Sequence, residues 1–373
     1  MQSKGLFIAS TGQHVGKTTT CLGLFSGLAK RMDSIGYMKP IGQQQALSKG
    51  GTSVDKDVLI FKEHFSLKDK EEEMSPVLIP QGFTRQFLDK KIDAAHLRNK
   101  ITKSCKKLSS DNTFLVVEGT GHCGVGSIID LNNAQVASLL QMPLILVASG
   151  GLGSAFDELA LNKALCDKHN VPLLGVILNR VQPEKAKMVQ EYVQKALKRW
   201  DVPLLGCIPF NPFLSQPTVE DFEGLFKQEL LTGMNHRLRH FKHVRLVATS
   251  VETYREWIVP NQLIITPANR EDIILATLTK NYEYHIANPG HDFKAGMILT
   301  GDYPPRHYIV EELKKADIPM IYTSVHSHTA MQMISSFTAK IRTEDVEKVH
   351  GAIQIVENHI DFDLLDSLLR KHG

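Results

Sequence analysis

The sequence predicts an α/β protein: a mostly parallel sheet with helices on both faces, followed by a second, smaller α/β unit. Three observations carry this. Short apolar runs recur at Leu6–Ala9, Ile35–Met38, Phe114–Val117, Leu144–Ala148, Leu173–Leu178 and Leu204–Ile208, separated by helical patterns or turn-rich stretches. Prolines at 209, 212 and 217, then a polar, basic stretch, interrupt the pattern up to about residue 240. A second alternation follows, with strands at Val244–Ala248, Leu263–Thr266, Met297–Thr300 and Met320–Tyr322 and helices at Glu271–Thr279 and Tyr308–Ala316. The expected organisation is a first domain over 1–212, a linker over 213–240, a second domain over 241–344 and a helical tail over 345–373. Val346, Val349, Ile353, Val356 and Ile360 make that tail amphipathic.

The first run, Leu6–Ala9, leads into Ser-Thr-Gly-Gln-His-Val-Gly-Lys-Thr at 10–18, and Cys21, Leu22, Leu24, Phe25, Leu28 and Ala29 then recur at helical spacing. A loop between a buried strand and a helix of this kind binds phosphate. Gly16 lets the backbone approach, and the helix N-terminus offers free N–H groups and its positive dipole end. Lys17 can reach the β- and γ-phosphates, and Thr18 can place a hydroxyl on magnesium. Thr11, Gly12, Gln13, His14, Val15, Gly16, Lys17, Thr18 and Thr19 are therefore the candidate nucleotide contacts, with ATP and Mg2+ as the expected ligands. The loop departs from the usual motif in opening with Thr11 rather than Gly.

Three later stretches add chemistry. Lys39 follows the second strand, at the carboxyl end that faces the ligand crevice in such sheets. It can serve the γ-phosphate or a carboxylate-bearing substrate, or be a surface lysine before the turn at Pro40. Glu118 directly follows Phe114–Val117, and a buried acid there favours a metal-facing role, with Gly119 and Gly121 leaving room for phosphate. Asp55 and Asp57 are candidates for a second carboxylate on that ion, Asp57 preferred, against a solvated loop. Asn179 ends the run Leu173–Leu178, where its amide can pair with a purine edge or simply initiate a turn.

Composition narrows the partners. The chain has 373 residues, enough for two cores, and a formal net charge of only +3, a weak electrostatic case for nucleic acid. Lys90-Lys91, Lys106-Lys107 and the basic run 236–243 read as solvated faces. The five cysteines are scattered without a C-x-x-C pair, which suits a reducing compartment rather than a disulfide framework or zinc site. Cys207 reads as core. No apolar run reaches the ~20 residues of a membrane span, and no leader precedes the first strand. A cytoplasmic protein with neither membrane nor nucleic-acid partners is expected.

On these residues the first domain resembles the dethiobiotin synthetase-like group of phosphate-loop ATPases. Thr11 with Val15–Thr18, Lys39-Pro40, Val117–Gly121 and Asn179 stand in the group's order over about residues 4–212. The second domain resembles the DRTGG domain, although Asn269-Arg270 and Thr300-Gly301-Asp302 differ from that motif at two of its five positions. This pairing resembles the N-terminal regulatory region of long bacterial phosphate acetyltransferases. The chain ends where their acyltransferase domain would begin, so a complete phosphate acetyltransferase is not expected.

The resemblance implies two functions. One is a nucleotide-binding regulatory protein whose DRTGG domain takes a small-molecule ligand or mediates self-association into a homo-oligomer. The other is an ATP-dependent ligase of the dethiobiotin synthetase or cobyrinate a,c-diamide synthase class, in which Lys17 and Lys39 stabilise charge developing on the γ-phosphate. Gly12 replaces the group's acidic loop residue, and Gln43-Gln44-Gln45 replaces its small hydroxyl-bearing run, which argues against dethiobiotin as product. The regulatory reading is preferred.

Overall fold

The computed structural model describes residues 5–372 and divides into two compact units, 5–211 together with 341–372, and Pro212–Lys340. The first unit has a six-stranded sheet in the order Leu204–Pro209, Leu173–Val181, Leu144–Ser149, Gly5–Ser10, Phe114–His122, Ile35–Met38. Every neighbouring pair is parallel, with Phe7 in register with both Val117 and Leu144. Gly5–Ser10 is buried at every residue because helices cover both faces of the sheet. Two strands run further than expected. Phe114–His122 continues through the Glu118-Gly119-Thr120-Gly121 stretch, and Leu173–Val181 continues past Asn179.

Helix Lys17–Ala29 is buried on nearly all sides, at Thr20, Cys21, Leu22, Gly23, Leu24, Phe25, Gly27 and Leu28. The tail explains this. Its helices Val346–Glu357 and Phe362–His372 belong to the first unit, and the former packs along Lys17–Ala29. Close approach requires the glycines of that helix. A Cβ on Gly23 would lie 2.2 Å from Val356 Cβ, and one on Gly27 2.1 Å from the Phe362 ring. Asp361 N donates to Leu205 O at 2.8 Å, stitching the tail to the sheet edge. Gly23→Ala should therefore destabilise the protein in urea by about 1–3 kcal/mol through overpacking, although alanine alone favours a helix by about 1 kcal/mol. A neutral or stabilising result would mean that this helix contact is loose.

In the second unit, strands Leu230–Thr232, Met320–Thr323, Gly296–Thr300, Gln262–Pro267 and His243–Leu246 form one sheet in that order, parallel except for Leu230–Thr232. Apolar clusters lie on its two faces: Ile264, Met297 and Leu299 pack with Ile273 and Leu313, while Leu263, Ile265 and Ile298 pack with Phe222 and Ala330. Helix Glu271–Ala287 runs two turns beyond the expected Thr279, with Asn281 buried along that extension.

The stretch 213–240 is not a linker. Helix Val219–Phe226 and strand Leu230–Thr232 lie within it and belong to this unit. Thr218 and Asp221 form a capping box, and Val219, Phe222, Phe226 and Leu230 are buried together. Among the described residues no helix is long and apolar enough to cross a membrane. All five cysteines are free thiols.

Candidate nucleotide site

Loop 10–18 links strand Gly5–Ser10 to helix Lys17–Ala29 and is pinned from several sides. Ser10 Oγ donates to Gly12 O and to Gly121 O, both at 2.9 Å. Thr11 N donates to Val147 O at 2.9 Å, and Thr11 Oγ1 donates to Glu158 Oε2 at 2.9 Å. Gln13 and His14 are exposed, His14 with φ +57°, and Arg180 Nη1 reaches His14 O at 3.1 Å. Val15 is buried.

Gly16 has φ +88° and caps the helix without a side chain, so no side-chain oxygen occupies the first-turn N–H groups of Lys17, Thr18 and Thr19. A Cβ at Gly16 would lie 2.3 Å from Asn179 Nδ2. Glycine is needed there twice over, for its backbone conformation and for room.

Asn179 is 3% exposed, and its amide is engaged inside the protein. Nδ2 donates to Val15 O at 2.8 Å, and Oδ1 accepts from Arg180 N at 2.9 Å. These bonds use only part of an amide that has two N–H groups and two lone pairs, so a purine edge stands as its proposed further partner. In this structure Asn179 lies within strand Leu173–Val181, in register with Ser149, and its amide holds the loop at Val15.

The carboxylates gather beside the loop. Glu118 is fully buried; its Oε1 accepts from Lys39 Nζ at 2.7 Å and from Thr18 Oγ1 at 3.0 Å. Asp57 Oδ2 accepts from the same two groups, Lys39 Nζ at 2.7 Å and Thr18 Oγ1 at 3.4 Å. Asp55 takes a different part. It is the N-cap of helix Lys56–His64, with Oδ1 accepting from Asp57 N and Oδ2 from Gln44 N, which turns its oxygens to backbone and leaves Asp57 to the site. Lys17 Nζ donates to Gly121 O at 3.3 Å.

Charge balance sets the protonation states. Burial would lower the Lys39 ammonium, but Asp57 and Glu118 outweigh it and hold the group above its ordinary value. Burial would likewise lift the Asp57 carboxyl, and Lys39 holds it below its ordinary range instead. Lys17 is lowered, first by burial and then by the charge of Lys39.

Tyr37 was not among the expected site residues. Its hydroxyl donates to Glu118 Oε2 at 2.8 Å, and its ring stacks on Phe61 at 3.7 Å between centroids. Burial and then the Glu118 charge push its phenol well up, so it remains a donor. A signal was present: Tyr37 stands two residues before Lys39 on extended chain, which places both side chains on one face.

In the second unit the DRTGG-like positions lie at the carboxyl ends of the parallel strands. Thr300 Oγ1 is 2.5 Å from Ser327 Oγ, and Gly301, at φ +107°, accepts from Tyr322 OH at 2.8 Å. Arg270 is fixed by Asp272 at 2.8 Å and by Thr249 O at 3.0 Å.

Residues 4–218 match the AAA domain family, and residues 225–337 match the DRTGG domain. Phosphate acetyltransferases of Synechocystis and Pseudomonas aeruginosa are 25% and 26% identical over 99% and 96% of this chain, and over 52% and 51% of their own lengths. The chain thus spans about half the length of these relatives. The ATP-dependent dethiobiotin synthetase of Nitrosopumilus maritimus is 28% identical over 61% of this chain and 96% of its own length. The parallel sheet, the loop opening its first helix and these matches together place the chain in the AAA domain family, as a dethiobiotin synthetase-like P-loop domain followed by a DRTGG domain.

Proposed function

We propose that the first unit binds ATP with Mg2+ and that the chain uses this binding as a regulatory signal. The second unit would receive a small-molecule ligand or mediate homo-oligomer formation. The observation that carries the reading is the uncapped N-terminus of helix Lys17–Ala29, with Lys17 beside it and Thr18 turned onto Glu118 and Asp57. Uncapped N–H groups and a positive dipole end suit phosphate.

The donor set also suits magnesium. Among the described residues no group of three or more His, Cys, Asp or Glu side chains is arranged for a metal. Two carboxylates and a hydroxyl beside a phosphate loop are, however, the hard oxygen ligands with which Mg2+ binds jointly with nucleotide phosphates. Magnesium held by Thr18, Asp57 and Glu118 would supply charge neutralisation for those phosphates. Lys17 would hold phosphate oxygens, and Asn179 would keep the loop in shape.

A second reading, an ATP-dependent ligase, is favoured by one observation: Lys39, only 4% exposed, lies beside the loop threonine. The dethiobiotin synthetase relative gives the same direction. Phosphate release from ATP, with diaminopelargonate and bicarbonate and then across a metabolite panel, separates the two readings. The regulatory reading expects no substrate-dependent release. Release that vanishes in Lys39→Ala while ATP affinity stays within a few-fold would establish the ligase instead.

A further inference from the structure

We propose that Lys39 is the resident cation of the Asp57–Glu118–Thr18 oxygen cluster, and that it must be drawn off by an incoming phosphate before the cluster can take a divalent ion. Nucleotide and metal then enter together rather than separately. This rests on the nucleotide-binding reading above and adds an order to it.

The geometry is specific. The ammonium of Lys39 lies 2.7 Å from Asp57 Oδ2 and 2.7 Å from Glu118 Oε1, the same two atoms that Thr18 Oγ1 contacts. A divalent ion using those oxygens would therefore meet the ammonium at close range, where like charges repel strongly in a buried site. The lysine side chain is 5% exposed and that of Glu118 is fully buried, so water screens neither.

The surrounding charges agree. Asp57, Glu118 and Asp55 all act on the Lys39 ammonium, and a divalent ion added while Lys39 stays would sit against that ammonium with no new negative charge to offset it. A triphosphate brings several negative charges, which give Lys17 and Lys39 an alternative partner and leave the carboxylates free. The backbone at Lys39 is fixed through its N–H to Met74 O at 2.7 Å, but four rotatable carbons let the ammonium move independently. Tyr37 donates to the other oxygen of Glu118, so that carboxylate stays in place when Lys39 leaves.

The test uses Mn2+ as probe, titrated into the full chain by electron paramagnetic resonance with and without ATP. Without nucleotide, Lys39→Met should bind Mn2+ at least tenfold more tightly than the unsubstituted protein, and ATP should narrow that gap. Lys39→Gln carries the same expectation and replaces the methionine variant if that one fails to fold, because its amide can still donate to a carboxylate. Equal Mn2+ affinity of both proteins without nucleotide, combined with tighter binding when ATP is added, would overturn the role of Lys39 and leave the nucleotide reading standing. No Mn2+ binding by either protein even with ATP would overturn both.

Discussion

Lys17→Ala should remove ATP binding while leaving the protein folded. Lys17 is only partly buried and its ammonium donates to Gly121 O at 3.3 Å, so its loss opens no apolar cavity. Burial already lowers its ammonium, so a partner of opposite charge has more to give this lysine than one in water would have. Loss of charge-assisted bonds to phosphate should weaken ATP by about 3 kcal/mol, on the order of a hundredfold. Calorimetry gives the affinity and a thermal melt checks the fold. ATP affinity unchanged in a folded Lys17→Ala protein would move the site away from loop 10–18.

The second large effect is expected at Glu118. Its Oε1 receives Thr18 and Lys39, and its Oε2 receives Tyr37. In Glu118→Gln the amide oxygen can keep the first pair, and the amide nitrogen can donate to the Tyr37 hydroxyl, which accepts as readily as it donates. The shape therefore survives and only the charge is lost. Magnesium-dependent nucleotide affinity should fall by tenfold or more, while affinity measured in EDTA should change by less than about threefold. Equal losses with and without magnesium would make Glu118 a structural partner of Lys39 rather than a metal ligand.

Much of this was legible because it is local. A strand of continuous apolar residues, a glycine at the helix entrance and a carboxylate closing a buried run are read from neighbours in sequence, and the parallel sheet agrees with them. What was not legible depends on partners far along the chain. Asp55 and Asp57 look alike in sequence, and only the helix start at Lys56 makes the first a cap and the second a site residue. Asn179 finds Val15, 164 residues away, which no local pattern encodes. Tyr37 likewise finds Glu118 81 residues away, although its place two residues before Lys39 was a local hint of the shared face.

The stretch 213–240 is a different case. Val219, Phe222 and Phe226 stand at helical spacing behind a capping threonine, but the surrounding prolines and basic residues dominate the composition there. The tail was recognisable as amphipathic; that its partner is the helix of the phosphate loop follows from Gly23 and Gly27, whose missing side chains make the groove.

The most direct measurement is a calorimetric titration of the unsubstituted protein with ATP, in magnesium and again in EDTA. A phosphate loop with an oxygen cluster for the metal predicts saturable binding at one site per chain, tighter in magnesium. No saturable heat in either buffer, at protein concentrations where the fold is intact by thermal melt, would contradict nucleotide binding at loop 10–18.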